Sequence, residues 1–213
     1  MLTCRAIDMA SYPRRAHFDY FTHLANPWVG VTVDVDVSDF VPFCRARGCS
    51  FTLAFMHAAA LAADAVPELR RRVRGDGIVE YAECPTSHTE LRPDGAYAYC
   101  TLRHHLPFDA YLAGAAAAQA ACRAGGSIEE DDDVDGMLFV TALPWLRYRA
   151  FFQPTPGNAE SNPRVSWGRY GEDGRGRLTL PVTLLAHHAL VDGIHIAAFF
   201  DNLNAELEKL IHS

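Results

Sequence analysis

The segment WVGVTVDVDV, residues 28–37, alternates without interruption. Val29, Val31, Val33, Val35 and Val37 fall on one face, and Thr32, Asp34 and Asp36 on the other. Successive side chains of a strand point to opposite sides, so this pattern predicts a half-buried β-strand and commits the chain to a sheet. Other strands are expected in YAECPTSHTEL and GAYAYCTLRHHL, separated by the turn-forming RPDG, and in MLFVTALPWL, RVSWGRYG and RLTLPVTLLAHH. The turn between the last two is EDGRG.

Helical spacing alternates with these strands along the chain. SYPRRAHFDYFTHL carries apolar residues at helical intervals, FTLAFMHAAALAADAVPEL is an apolar helix that Pro67 ends, and residues 108–123 form an Ala-rich helix. From about Ile194, the residues Ile196, Phe199, Phe200, Leu203, Leu207, Leu210 and Ile211 make one apolar stripe. No repeat and no Pro/Gly linker divides the 213 residues, so the expectation is one α+β domain over 1–213 with interleaved elements.

Composition narrows the function classes. A formal charge of −7 disfavours nucleic acid, whose phosphates repel an acidic surface. The dense basic run RRRVR at 70–74 reads as a solvated helix end and turn. The N-terminus lacks the layout of a signal peptide, and no apolar run approaches the roughly 20 residues that span a bilayer. The six scattered cysteines show no metal-binding spacing and read as reduced thiols of a cytoplasmic protein with no membrane partner.

Three clusters invite a site. Asp131, Asp133, Asp135 and Gly136 open like a calcium loop, but Ala142 stands where the closing bidentate glutamate belongs, so a solvated acidic loop is expected. His104–His105 has no Asp-Gly turn and no third ligand beside it in sequence, which reads as a surface or strand-end pair. LAHHALVDGIHI places His187 and His188 at a strand end, with Asp192, Gly193 and His195 following. Neighbouring residues on a strand face opposite ways, which argues against shared metal ligation by the two histidines. One imidazole directed into a cleft, titrating near roughly 6.5, suits acid–base chemistry. Asp192 would pair with a cation to orient the loop, and Gly193 would relieve the backbone at the turn.

HHALVDG resembles the HHxxxDG signature of the chloramphenicol acetyltransferase family; related HxxxD(G) forms occur in dihydrolipoamide acyltransferase cores and peptide-synthetase condensation domains. Longer stretches favour the first. YPRRAHF is similar to the family's W-x-R-x-x-H-F and places its arginine on Arg14. The helix ending in PELRRR, the strand leading to Pro144–Trp145, and VSWGRY against T-x-G-K-Y follow in the family's order.

The resemblance implies a two-layer sandwich with a mixed sheet covered by helices. It implies a homotrimer whose active sites lie between subunits, with acetyl-CoA or another acyl-CoA as co-substrate and no metal. His188 would be the general base toward a hydroxyl of a small-molecule acceptor, with Asp192 ion-paired to Arg14 to hold the loop. Phe21 would line the acceptor pocket, and Ser166 would fall on a threonine that acts through a bound water. The family's P-W-x-x-F-T-S-F puts Ala150 where a serine hydroxyl supports the oxyanion, a donor whose loss costs roughly 100–1000-fold in rate. The same alignment puts Arg147 and Arg149 at uncharged positions, flanking Tyr148 in the substrate-binding segment. These departures imply an acceptor other than chloramphenicol. They leave open an amine acceptor or carrier-protein donor in biosynthesis, and a non-catalytic binding protein on the same fold.

Overall fold

A computed structural model describes residues 2–125, 133–155 and 160–212. The elements up to the first hairpin are β1 (Cys4–Ala6), α1 (Arg15–Thr22), β2 (Trp28–Asp36), α2 (Phe40–Arg47) and α3 (Phe51–Asp64). A 3-10 turn (Pro67–Arg70) then leads to β3 (Arg71–Arg74), β4 (Gly77–Tyr81), β5 (Thr86–Leu91) and β6 (Tyr97–Leu102). α4 (Phe108–Gly125), β7 (Leu138–Ala142), β8 (Arg164–Trp167), β9 (Gly171–Glu172), β10 (Leu178–His187) and α5 (Gly193–Ile211) complete the chain.

The large sheet runs β2-β10-β8-β7-β5-β6, with β9 also on β10. It is mixed: β7 lies parallel to β5 and β8, and the other pairs are antiparallel. A small antiparallel sheet, β1-β4-β3, stands apart from it. β10 is buried along almost its whole length because it has neighbours on both edges. Helices α3 and α5 pack against each other, and their apolar residues join those of the sheet in a core that includes Phe55, Trp167, Leu184, Phe199 and Leu203. The stripe expected on α5 is the buried one, with only Ile211 partly open. Ser50 caps α3 by accepting from the Leu53 N–H, and the helix stops before Pro67 as its ring requires.

Four sequence expectations change. β2 is an edge strand, and its apolar face is only partly covered: Val35 is buried while Val31 and Val33 are exposed. RRRVR is not a solvated helix end, because its last four residues are β3 and Arg72 is fully buried. Arg72 donates to the carbonyls of Leu69, Arg71, Asp135 and Met137, which solvate the guanidinium in place of water. Helix α2 arises where no helix was expected; Pro42 stands in its first turn, where no intrahelical N–H is required. His104 is buried, and the carboxylate of Asp64 from α3 meets both His104 and His105, so that pair is neither a surface feature nor without a third group.

Of the calcium-like run, Asp131 lies outside the described residues. Asp135 is engaged by Arg74 and Tyr81, Asp133 accepts from the Leu2 N–H, and Ala142 ends β7.

Candidate active site

β10 carries His187 as its last residue, and His188 follows where the strand pairing stops. The two imidazoles part as strand alternation demands. His187 turns into the core against Trp28, is 1% exposed, and burial with His188 alongside pushes its pKa down to about 4. His188 faces a half-open space, its backbone N–H donating to the Pro27 carbonyl at 2.7 Å. Its ring stacks on Phe21 of α1, centroids 3.9 Å apart and 26° between planes.

The Nδ1 atom of His188 lies 2.9 Å from the Val191 carbonyl oxygen. A carbonyl only accepts, so Nδ1 carries the proton and Nε2 keeps its lone pair. Asp192 Oδ1 stands 3.3 Å from the same Nδ1. Asp192 Oδ2 takes a 2.7 Å bond from Arg14, whose other terminal nitrogen donates to the Leu190 carbonyl. One guanidinium therefore holds both the carboxylate and the backbone of the 188–192 loop.

Asp192 is the N-cap of α5, and its N–H donates to His195 Nδ1 at 2.9 Å, closing the first turn. Burial lowers the His195 pKa, so this ring is held neutral as an acceptor. Gly193 does not relieve the backbone: its φ lies outside the left-handed region, and a Cβ there would meet nothing.

Ser166, Tyr148 and Arg147 gather elsewhere. Ser166 is buried on β8 opposite Thr183, and its hydroxyl accepts from Gln153, which also donates to Thr141. Tyr148 donates to the Ser166 carbonyl at 2.9 Å and accepts from Thr183. Arg147 is spent on structure, bonding the Glu172 carbonyl and the Thr179 hydroxyl. Arg149 is exposed beside a cleft of about 630 Å³ lined also by Thr32, Asp34 and Tyr148. Ala150 is exposed and offers no side-chain donor. Thr183 lies near the middle of β10 and His188 just past its end, five positions on, and a rise of about 3.3 Å per residue separates the two groups by about 16 Å. Within one chain, then, His188 meets Phe21 and Asp192, with Arg14 behind the carboxylate, while Ser166, Tyr148 and Arg147 form a second group. Gln153 and Thr141, which hold the Ser166 hydroxyl, carry no sequence signal that separates them from any loop or strand polar residue.

The family model of chloramphenicol acetyltransferase matches residues 2–204. The chain belongs to the chloramphenicol acetyltransferase family. Its relatives in that family are distant: a Streptomyces acrimycini chloramphenicol acetyltransferase is 29% identical over 211 residues, covering 96% of this chain and 93% of the relative. An Escherichia coli chloramphenicol acetyltransferase is 22% identical over 200 residues, 92% and 90% of the two chains. A solved chloramphenicol acetyltransferase superposes with a TM-score of 0.87 at 23% identity, covering 96% of this chain and all of that one. The cubic core of a pyruvate dehydrogenase multienzyme complex superposes with a TM-score of 0.67 at 19% identity, covering 93% and 89%.

These likenesses establish the mixed-sheet α+β fold of the family, and membership makes the chain an acyltransferase acting on a small-molecule acceptor. Family members move an acyl group from a coenzyme A thioester to a hydroxyl. No described helix is long and apolar enough to cross a membrane.

Proposed function

We propose that this chain, acting as one domain, transfers an acyl group from acyl-CoA to a hydroxyl of a small molecule by direct attack, with His188 as general base. The observation that carries the reading is the Nδ1–Val191 bond, which puts the ring proton on Nδ1 and leaves the lone pair on Nε2. Nε2 takes the proton of the acceptor hydroxyl as its oxygen adds to the thioester carbonyl. The C–S bond then breaks, and the imidazolium returns the proton to the departing thiolate. No thiol of the enzyme takes part; Cys44, Cys84 and Cys100 are buried, and burial keeps them protonated. The six free thiols support work in a reducing cytoplasm.

Phe21 fixes the plane of His188 and borders the acceptor. Arg14 and Asp192 orient the loop. Ser166, with its hydroxyl held by Gln153, positions a water or the intermediate's oxygen from a second chain, because its own chain keeps it about 16 Å away along the strand. Active sites shared between subunits of a homotrimer answer both this separation and the exposed Val31, Val33, Trp145, Leu146 and Phe152. The missing hydroxyl at Ala150, beside Tyr148 and the exposed Arg149, supports an acceptor other than chloramphenicol.

The test is thiol release from acetyl-CoA across a panel of hydroxyl acceptors that includes chloramphenicol. His188→Ala is expected to lower kcat by about 100- to 10,000-fold without changing the oligomer. Undiminished turnover in that variant overturns the assignment of the base. Chloramphenicol turnover equal to that of the Escherichia coli relative overturns the change of acceptor.

A further inference from the structure

His104 and His105 lie just past β6, after Arg103, where strand alternation no longer separates neighbours, and their ring centroids lie 4.3 Å apart. Both turn Nε2 onto one atom: Asp64 Oδ2 is 2.9 Å from His104 Nε2 and 2.9 Å from His105 Nε2. One ligand atom from each of the three residues falls within 4.8 Å of the others. Donors bound to a first-row metal at about 2.0–2.2 Å lie about 3 Å apart, which two of these separations already satisfy.

Charge balance adds a second, independent reason. The Asp64 side chain is 5% exposed, yet among the described residues its ion-pair partners are the two histidines alone. Arg70, close by, spends itself on backbone carbonyls of Asp64 and Tyr81 rather than on the carboxylate. The Cys84 N–H, a neutral donor, reaches both carboxylate oxygens at 3.2 Å. A nearly buried carboxylate without a fixed cation is costly, and a divalent ion held with two imidazoles removes that cost.

Access is also present. His105 is about half exposed and borders a cleft of about 300 Å³ lined by Leu2, Thr3, Ala82, Glu83 and Arg103. Arg103 at this mouth is paired with Glu83, so its charge is offset.

We propose that Asp64, His104 and His105 form a site for a divalent first-row transition cation, Zn2+ foremost, separate from His188. Two imidazoles and one carboxylate suit Zn2+, Co2+ or Ni2+ better than Ca2+ or Mg2+, which take oxygen donors. Water from the cleft completes the coordination. The ion ties the end of α3 to the segment between β6 and α4 and thereby stabilises the fold.

The test titrates chelator-treated full-length protein with Zn2+ by calorimetry and with Co2+ by visible absorption. The expected result is one ion per chain, proton release on binding, and a higher Tm that excess Mg2+ does not reproduce. His105→Ala is the informative variant because this ring is half exposed and its loss spares the core. Its Zn2+ affinity is expected to fall by more than the about 100-fold typical of losing a ligand's supporting partner. His188→Ala is expected to bind as the parent does. Failure to bind one equivalent, unchanged affinity in His105→Ala, or loss of binding in His188→Ala each overturns the proposal. In the first case the cluster is a hydrogen-bonded carboxylate–imidazole trio only.

Discussion

The proposed role of His188 as base requires its Nδ1–H to keep donating to the Val191 carbonyl, and that carbonyl belongs to a loop pinned at one point. Arg14 is the pin: it bonds the Leu190 carbonyl and the Asp192 carboxylate together. The ion pair is only partly buried, with 16% and 35% of the two side chains exposed. Arg14→Ala is therefore expected to cost less than the about 3–5 kcal/mol of a fully buried pair. The larger effect falls on chemistry, with kcat lower by about 10- to 100-fold, or about 1.4–2.7 kcal/mol, and the acceptor KM little changed. Steady-state kinetics beside a urea melt separates the two. His187 predicts a pH effect. Burial holds its folded-state pKa to about 4 against 6.5 in a free chain. Between those values the unfolded chain binds more protons, so the contribution to stability is full above pH 6.5 and is lost as pH falls toward 4. The difference amounts to about 3 kcal/mol. His57 and His195, also lowered by burial, add to the same slope. His187→Gln is expected to flatten part of it, read as the change in unfolding free energy between pH 7 and pH 5.

At the scale of elements, the segment after β7 depends on one glycine of the β8–β9 link. A Cβ on Gly168 would stand 2.5 Å from the Leu146 carbonyl oxygen and 3.1 Å from the Tyr148 ring. Gly168→Ala is expected to push residues 143–148 outward and cost about 1–3 kcal/mol in stability. It should raise the acceptor KM through Tyr148, while the His188 loop at the far end of β10 stays in place. A denaturation midpoint and the two kinetic constants check this. The elements that could be read from sequence are those with an unbroken period: β2, β10 and α5 each bury or present a repeating face. Helix α2 was hidden because eight residues with Pro42 and the two arginines Arg45 and Arg47 show no such period. Arg72 was hidden for another reason. Its burial depends on carbonyls brought from the 3-10 turn and from residues 135–137, which no local pattern announces. The HHxxxDG loop was legible because its parts are adjacent, and Arg14 only through resemblance, 178 positions away. Asp64 joins His104 across 40 positions with no motif to signal it.

The whole molecule poses a question of assembly. His188 with Phe21, Arg14 and Asp192 occupies one end of β10, whereas Ser166 and Tyr148 attach near its middle. A strand is too rigid to fold these groups onto each other, so a site that uses both draws them from two chains. The edge position of β2 fits this, since its exposed Val31 and Val33 lie on a strand next to β10. Burying such a patch also removes an open sheet edge that would otherwise invite aggregation. The expectation is an inactive His188→Ala assembly and a weakened Ser166→Ala assembly. Dissociated, mixed in equal amounts and reassembled, the two variants should recover activity above that of either parent. In the proposed shared-site assembly, mixed oligomers then contain interfaces where an intact His188 of one chain meets an intact Ser166 of another. If both groups served one chain's own site, every site in the mixture would lack one of them, and activity would remain the average of the parents. Sedimentation of the mixture before and after reassembly verifies that chains have exchanged, so a flat result counts against the shared site.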